Sequence, residues 1–137
     1  MITLQDVRAG LELEPLVIES VSAEKMKTMA AILRDPNPIH YDVDTVRELG
    51  LGDRPVNQGP INMSYLLNLV TRWAGGTSRL RRFTVRFLGN VFAGERVECS
   101  GRVVAVDEDA GTAELELQAA VGERPVLAGS ATVALEA

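Results

Sequence analysis

The apolar positions of this chain follow two periods, one after the other. Over residues 23–33, Met26, Met29, Ala30 and Leu33 recur at helical spacing, and Ser22 stands where an N-cap belongs. Leu16-Val17-Ile18 before it reads as a short strand. Asp35-Pro36-Asn37-Pro38 must break the helix, because proline lacks a donor and pushes the residue before it out of the α region. Asp42 or Asp44 can cap a second short helix ending near Leu49-Gly50. A loop over residues 54–59 leads to Pro60, which suits the first turn of a longer helix over 60–74, ended by Gly75-Gly76. Ile61, Met63, Leu66, Leu67, Leu69, Val70 and Trp73 make that helix apolar over most of its circumference, which predicts burial.

From Arg79 onward the period becomes two. Phe83, Val85 and Phe87 alternate with Thr84 and Arg86; Val97, Cys99, Gly101 and Val103 with Glu98, Ser100 and Arg102; Ala113, Leu115, Leu117 and Ala119 with Glu114, Glu116 and Gln118. A last strand spans 126–135, and turn-forming residues fill 107–111 and 122–125. Helices followed by an antiparallel meander, with the apolar helix covering one face, predict an α+β layer fold.

Composition narrows this only a little. The 137 residues are read as one domain over 1–137, long enough to bury a core. A net charge of −5 argues against a nucleic-acid partner. No apolar run reaches the roughly 20 residues of a membrane span, and the N-terminus lacks the pattern of a signal peptide. One cysteine, Cys99, allows neither an internal disulfide nor a cysteine-built metal site, and fits a cytoplasmic protein. No metal site is expected.

His40 is the only histidine, with Asp35 just upstream across a proline-braced turn. A stiff turn can hold a carboxylate and an imidazole at a set separation, both aimed at one water, as acid–base chemistry requires. Spacing alone also fits an ordinary Asx-Pro turn at a helix end.

The run Asp35-Pro36-Asn37-Pro38-Ile39-His40-Tyr41-Asp42 resembles the Asp-x-Asn-Pro-x-His-x-Asp signature of the MaoC-like, R-specific enoyl-CoA hydratases. The preceding helix, the Gly-containing loop with its apolar helix, and the stretch from Arg86-Phe87 to Gly94-Glu95 resemble that family too, over roughly residues 15–135. The resemblance implies a hotdog fold, in which a curved antiparallel sheet wraps a long central helix. It also implies a reversible hydration of 2-enoyl-CoA and dehydration of 3-hydroxyacyl-CoA, with Asp35 and His40 as the catalytic pair and Asn37 bracing their turn.

A thioester oxygen turning enolate-like needs a donor. Helix N-termini supply free N–H groups. Pro60 has none, so Gly59 is the natural donor, with Ile61 next and Gln58 beside them. The resemblance implies an acyl-CoA or acyl carrier protein thioester as substrate, no further cofactor, and a homodimer or a heteromer with another hotdog chain.

The chain departs from the family at three places. It has Leu33-Arg34 where Ser-Gly is common, Gln58-Gly59 where His-Gly is common, and Pro60 where an apolar residue usually follows. Arg34 could lower the pKa of Asp35 or bind a phosphate. Arg82 and Arg86, within a basic cluster that includes Arg72, Arg79 and Arg81, are further candidates for a CoA phosphate, or simply a solvated face. Met26, Met29, Met63 and Trp73 could line an acyl tunnel or fill the core. Two other functions share the fold: a non-catalytic or partner-dependent subunit of a heteromeric hydratase, and an acyl-CoA thioesterase.

Overall fold

The computed structural model describes residues 2–137. Strand β1 (Leu16–Ile18) leads into helix α1 (Ala23–Leu33), a 3-10 turn at Pro38–His40, helix α2 (Val43–Glu48) and helix α3 (Gly59–Ala74). A second 3-10 turn at Thr77–Arg79 precedes strands β2 (Leu80–Phe87), β3 (Val97–Asp107), β4 (Thr112–Val121) and β5 (Arg124–Ala134).

The predicted caps form. The Ser22 side chain accepts from the Lys25 N–H and starts α1. Asp42, not Asp44, caps α2 by accepting from the Asp44 N–H. The Thr45 hydroxyl also donates to Asp42 and holds its carboxyl below the ordinary value. Gly75, at φ 82°, ends α3 in the left-handed conformation that glycine tolerates. α1 ends differently. Arg34 takes the left-handed position, at φ 51°, and the Asp35 N–H closes the turn onto the Ala30 carbonyl at 2.9 Å.

The sheet is a five-stranded antiparallel one in the order β1-β3-β4-β5-β2. This corrects the expected meander. β3, β4 and β5 do run as hairpins, but β2 skips past them and pairs with β5 at the far edge. Alternation in sequence identifies a strand but not its neighbour. β5 is thus flanked on both sides, and among the described residues β2 lies at one edge of the sheet. Its exposed Arg81, Arg82 and Arg86 guard that edge with charge.

One face of the sheet packs on α3. Leu66, Leu69, Val70 and Ala74 of the helix meet Val97, Cys99, Val103, Leu115, Leu117, Leu127 and Val133 in a single buried cluster. A bulge near Ala119 leaves Val126 as an extra residue, so that Val126 and Leu127 are both fully buried. α3 is less enclosed than its composition predicted: Met63, Leu67 and Trp73 are half-buried and Asn68 is exposed. Met26 is 0% exposed and belongs to the core. A long helix wrapped by an antiparallel sheet is the hotdog fold. Among the described residues, no helix is long and apolar enough to cross a membrane.

Candidate active site

The turn between α1 and α2 brings a carboxylate and an imidazole face to face. Asp35 Oδ2 lies 3.3 Å from His40 Nε2. The other carboxylate oxygen accepts from the Asn37 N–H at 3.0 Å, and the Asn37 side chain accepts in turn from the Ile39 N–H at 3.3 Å. Tyr41 donates its hydroxyl to the Pro36 carbonyl at 3.0 Å and closes the turn from outside. Asn37 therefore braces the turn through its own side chain, and its backbone N–H holds one oxygen of Asp35.

His40 is fixed from behind. Its Nδ1 lies 2.6 Å from the Val56 carbonyl, and the Val56 N–H donates to the Ile39 carbonyl at 2.9 Å. A carbonyl can only accept, so Nδ1 carries the proton. In the neutral tautomer Nε2 is then left with a bare lone pair. Asp35 Oδ2 faces that lone pair with lone pairs of its own. Two acceptors 3.3 Å apart need a proton between them, or a water that donates to both. The Asp35 side chain is 31% exposed against 9% for His40, so the opening lies on the carboxylate side.

Gly59 begins α3 immediately after the Val56–Gln58 stretch that holds His40. As the first helical residue it has no partner within the helix for its N–H, and Pro60 has no N–H to offer. The Ile61 N–H is already engaged with the Gln58 carbonyl at 3.1 Å. Of the two expected donors, Gly59 is thus the free one. The Phe87 ring lies beside it, and Phe87 is 53% exposed.

Gln58 is buried, with its amide turned toward α1, where it donates to the Met26 carbonyl at 2.7 Å. Next to it is a polar cluster that the sequence did not reveal. Asn57 donates to Asn62 at 2.7 Å and to the Tyr65 hydroxyl at 3.2 Å. Burial pushes the Tyr65 hydroxyl above its ordinary value, against the pull of Asn57. Two amides scattered along a helix start carry no periodic signal, so periodicity could not find them. Glu95, on the loop before β3, accepts from the Phe92 N–H and is clasped by Arg54 and Arg124 at 3.6 and 3.1 Å. That clasp ties the loop preceding α3 to the β4–β5 turn.

The basic candidates are dispersed. Phe83 and Val85 pack on the core and Phe87 reaches Gly59, so strand alternation turns Arg82 and Arg86 to the opposite face. Arg79 pairs with Glu136, and Arg81 donates to the Ser78 carbonyl at 2.8 Å. Arg34 is exposed next to Asp35. Of the four tunnel candidates, Met29 lines a cavity of about 390 Å3 between α1 and α3, together with Thr28, Ile32, Ile61, Ser64 and Tyr65. Met26 and Trp73 pack in or against the core instead.

No curated protein sequence matches the chain. Among solved structures it is similar to the (R)-hydratase from A. caviae involved in PHA biosynthesis, with 25% identity, a TM-score of 0.84, and coverage of 96% of this chain and 98% of that one. A MaoC-like dehydratase superposes with a TM-score of 0.92 at 21% identity; 98% of this chain is covered and 42% of that one. One chain of the ChsH1-ChsH2 complex from Mycobacterium tuberculosis has a TM-score of 0.81 at 19% identity, covering 95% and 99% of the two chains. The model of the MaoC like domain matches residues 10–123. With that match spanning the dyad turn, the central helix and most of the sheet, the chain is a member of the MaoC-like domain family.

Proposed function

We propose that this chain is an acyl-thioester hydro-lyase, adding water reversibly across the α,β double bond of a 2-enoyl thioester to give the (R)-3-hydroxyacyl product. The observation that carries this reading is the pair Asp35 Oδ2 and His40 Nε2, 3.3 Å apart, with Nδ1 tied to Val56. A water donating to both acceptors is held and activated at once. As its oxygen bonds to the β-carbon, one proton passes to Nε2, and the Val56 carbonyl steadies the imidazolium that forms. Asp35 orients the water and helps return a proton to the α-carbon on the same face. Dehydration runs the same steps backwards. The Gly59 N–H, at the positive end of α3, stabilises the developing charge on the thioester oxygen.

Family membership and the likeness to an (R)-hydratase support the reaction class and its stereochemistry. The thioester activates its own α-carbon, so the reaction needs no further cofactor. The acyl group is carried by CoA or by an acyl carrier protein. The test is turnover of crotonyl-CoA and longer 2-enoyl-CoAs by wild type, Asp35→Asn and His40→Gln. Each substitution is expected to lower kcat by about 10²–10⁴-fold. Equal activity in all three proteins overturns the assignment.

The likeness to a chain of the ChsH1-ChsH2 complex favours a second reading, in which activity requires another hotdog chain. The purified chain would then be inactive alone and regain turnover when that partner is added. On the first reading it is an active homodimer, and sedimentation should give twice the chain mass.

A further inference from the structure

Three consecutive residues hold the parts of the site in place. Val56 fixes His40 and Ile39. Asn57 donates its N–H to the Val91 carbonyl at 2.7 Å and its side chain to Asn62 and Tyr65. Gln58 reaches back to Met26 in the first half of α1, the helix whose other end delivers Asp35.

Gln58 fills its place at a cost. It is 1% exposed, and its Oε1 is buried with no hydrogen-bond partner. An orphaned buried acceptor loses its hydration for nothing in return. An apolar side chain of similar size would fill the space without that loss. A hydrophobe, however, fixes neither distance nor direction, because apolar burial is non-directional. The 2.7 Å bond sets both, between α1 and the turn that presents the Gly59 N–H. A local rule broken inside a well-packed fold marks a functional position.

We infer that Gln58 is a positioning residue: its bond to the Met26 carbonyl sets where α1 ends, and so where the Asp35 carboxylate stands relative to His40 Nε2 and the Gly59 N–H. Gln58 does not touch the substrate and acts through Asp35. The catalytic half of this inference rests on the hydratase reading above; the geometric half does not. Where the family commonly has His at this position, a ring N–H can serve the same carbonyl.

The experiment uses Gln58→Met and Gln58→His in the full chain. Gln58→Met should keep or raise the thermal midpoint while lowering kcat about tenfold, or ~1.4 kcal/mol of barrier, with KM nearly unchanged. Gln58→His should recover most of the loss. In an Asp35→Asn background, Gln58→Met should cost little more, since its effect runs through that carboxylate. His40 is the only histidine, so its ring signals in an NMR spectrum report on the dyad whether or not the protein turns over. Asp35→Asn should shift those signals by replacing the facing carboxylate, and Gln58→Met should shift them part of the way. His40 ring signals unchanged in Gln58→Met overturn the inference. So does a fall in thermal midpoint with no change in those signals or in kcat. Wild type without hydratase activity but with the expected signal shifts would sink the hydratase reading and leave Gln58 in its role.

Discussion

The Phe87 ring occupies the space that a side chain on Gly59 would need. A Cβ built on Gly59 comes within 3.2 Å of Phe87 Cε1, tighter than about nine in ten real Cβ contacts, so the ring would have to give by a few tenths of an ångström. Two effects of opposite sign then compete in Gly59→Ala. Replacing a helical glycine gains about 0.5–1 kcal/mol in backbone entropy. Forcing an extra methyl against the ring costs about 1–3 kcal/mol. The clash should win, and Gly59→Ala should lower the thermal midpoint. In a Phe87→Ala background the same change should raise it. An equal shift in both backgrounds would show that the ring is not what keeps residue 59 small.

Arg34 is the one described non-glycine residue with positive φ, at 51°. The left-handed conformation costs an L-residue roughly 1–2 kcal/mol that glycine avoids. The family commonly has glycine at this position. Arg34→Gly should therefore stabilise the fold by about 1 kcal/mol in denaturant titration. Unchanged or lower stability would mean that the Arg34 side chain contributes contacts worth more than its backbone strain.

Cys99 should behave as a buried hydrophobe with a titrating handle. Burial pushes its thiol up to about 12, with Glu98 adding to the shift. The unfolded chain's thiol ionises near its ordinary value of 9.0, so between these values the unfolded state binds fewer protons than the folded one. This contribution to stability is complete below pH 9.0 and is lost as pH rises toward 12. Native protein at neutral pH should resist thiol-labelling reagents until denaturant is added. Rapid labelling without denaturant would contradict the burial.

Much of this architecture was legible because local chemistry enforces it. Ser22 can cap α1 from its own position, Asp35-Pro36 can stop the helix, and Gly75 can end α3, whatever lies elsewhere in the chain. The closeness of Asp35 and His40 was legible for the same reason, since the turn between them is short and stiff. Long-range relations were not legible. Nothing in Phe83-Thr84-Val85 says that β2 joins β5 and not β3. Nothing in Arg82 and Arg86 says which face of the sheet they will occupy until β2 is set against α3. The engagement of the Ile61 N–H by Gln58 depends on the local curl of the chain at Pro60. The Asn57–Asn62–Tyr65 cluster and the Gln58–Met26 bond exist only once α1, α3 and the preceding loop have packed together.

The strand order also bears on how the protein is made. β2 leaves the ribosome well before β5, yet among the described residues β5 is its one sheet neighbour. Until residues 124–134 emerge, Phe83, Val85 and Phe87 have a helix beside them but no ladder to join, and β4 has one open side. Such a half-built sheet is the kind of nascent species that chaperones hold and proteases clear. A chain stopped short of β5 loses two interfaces at once, so premature termination late in translation should yield degraded fragments rather than a weakened enzyme.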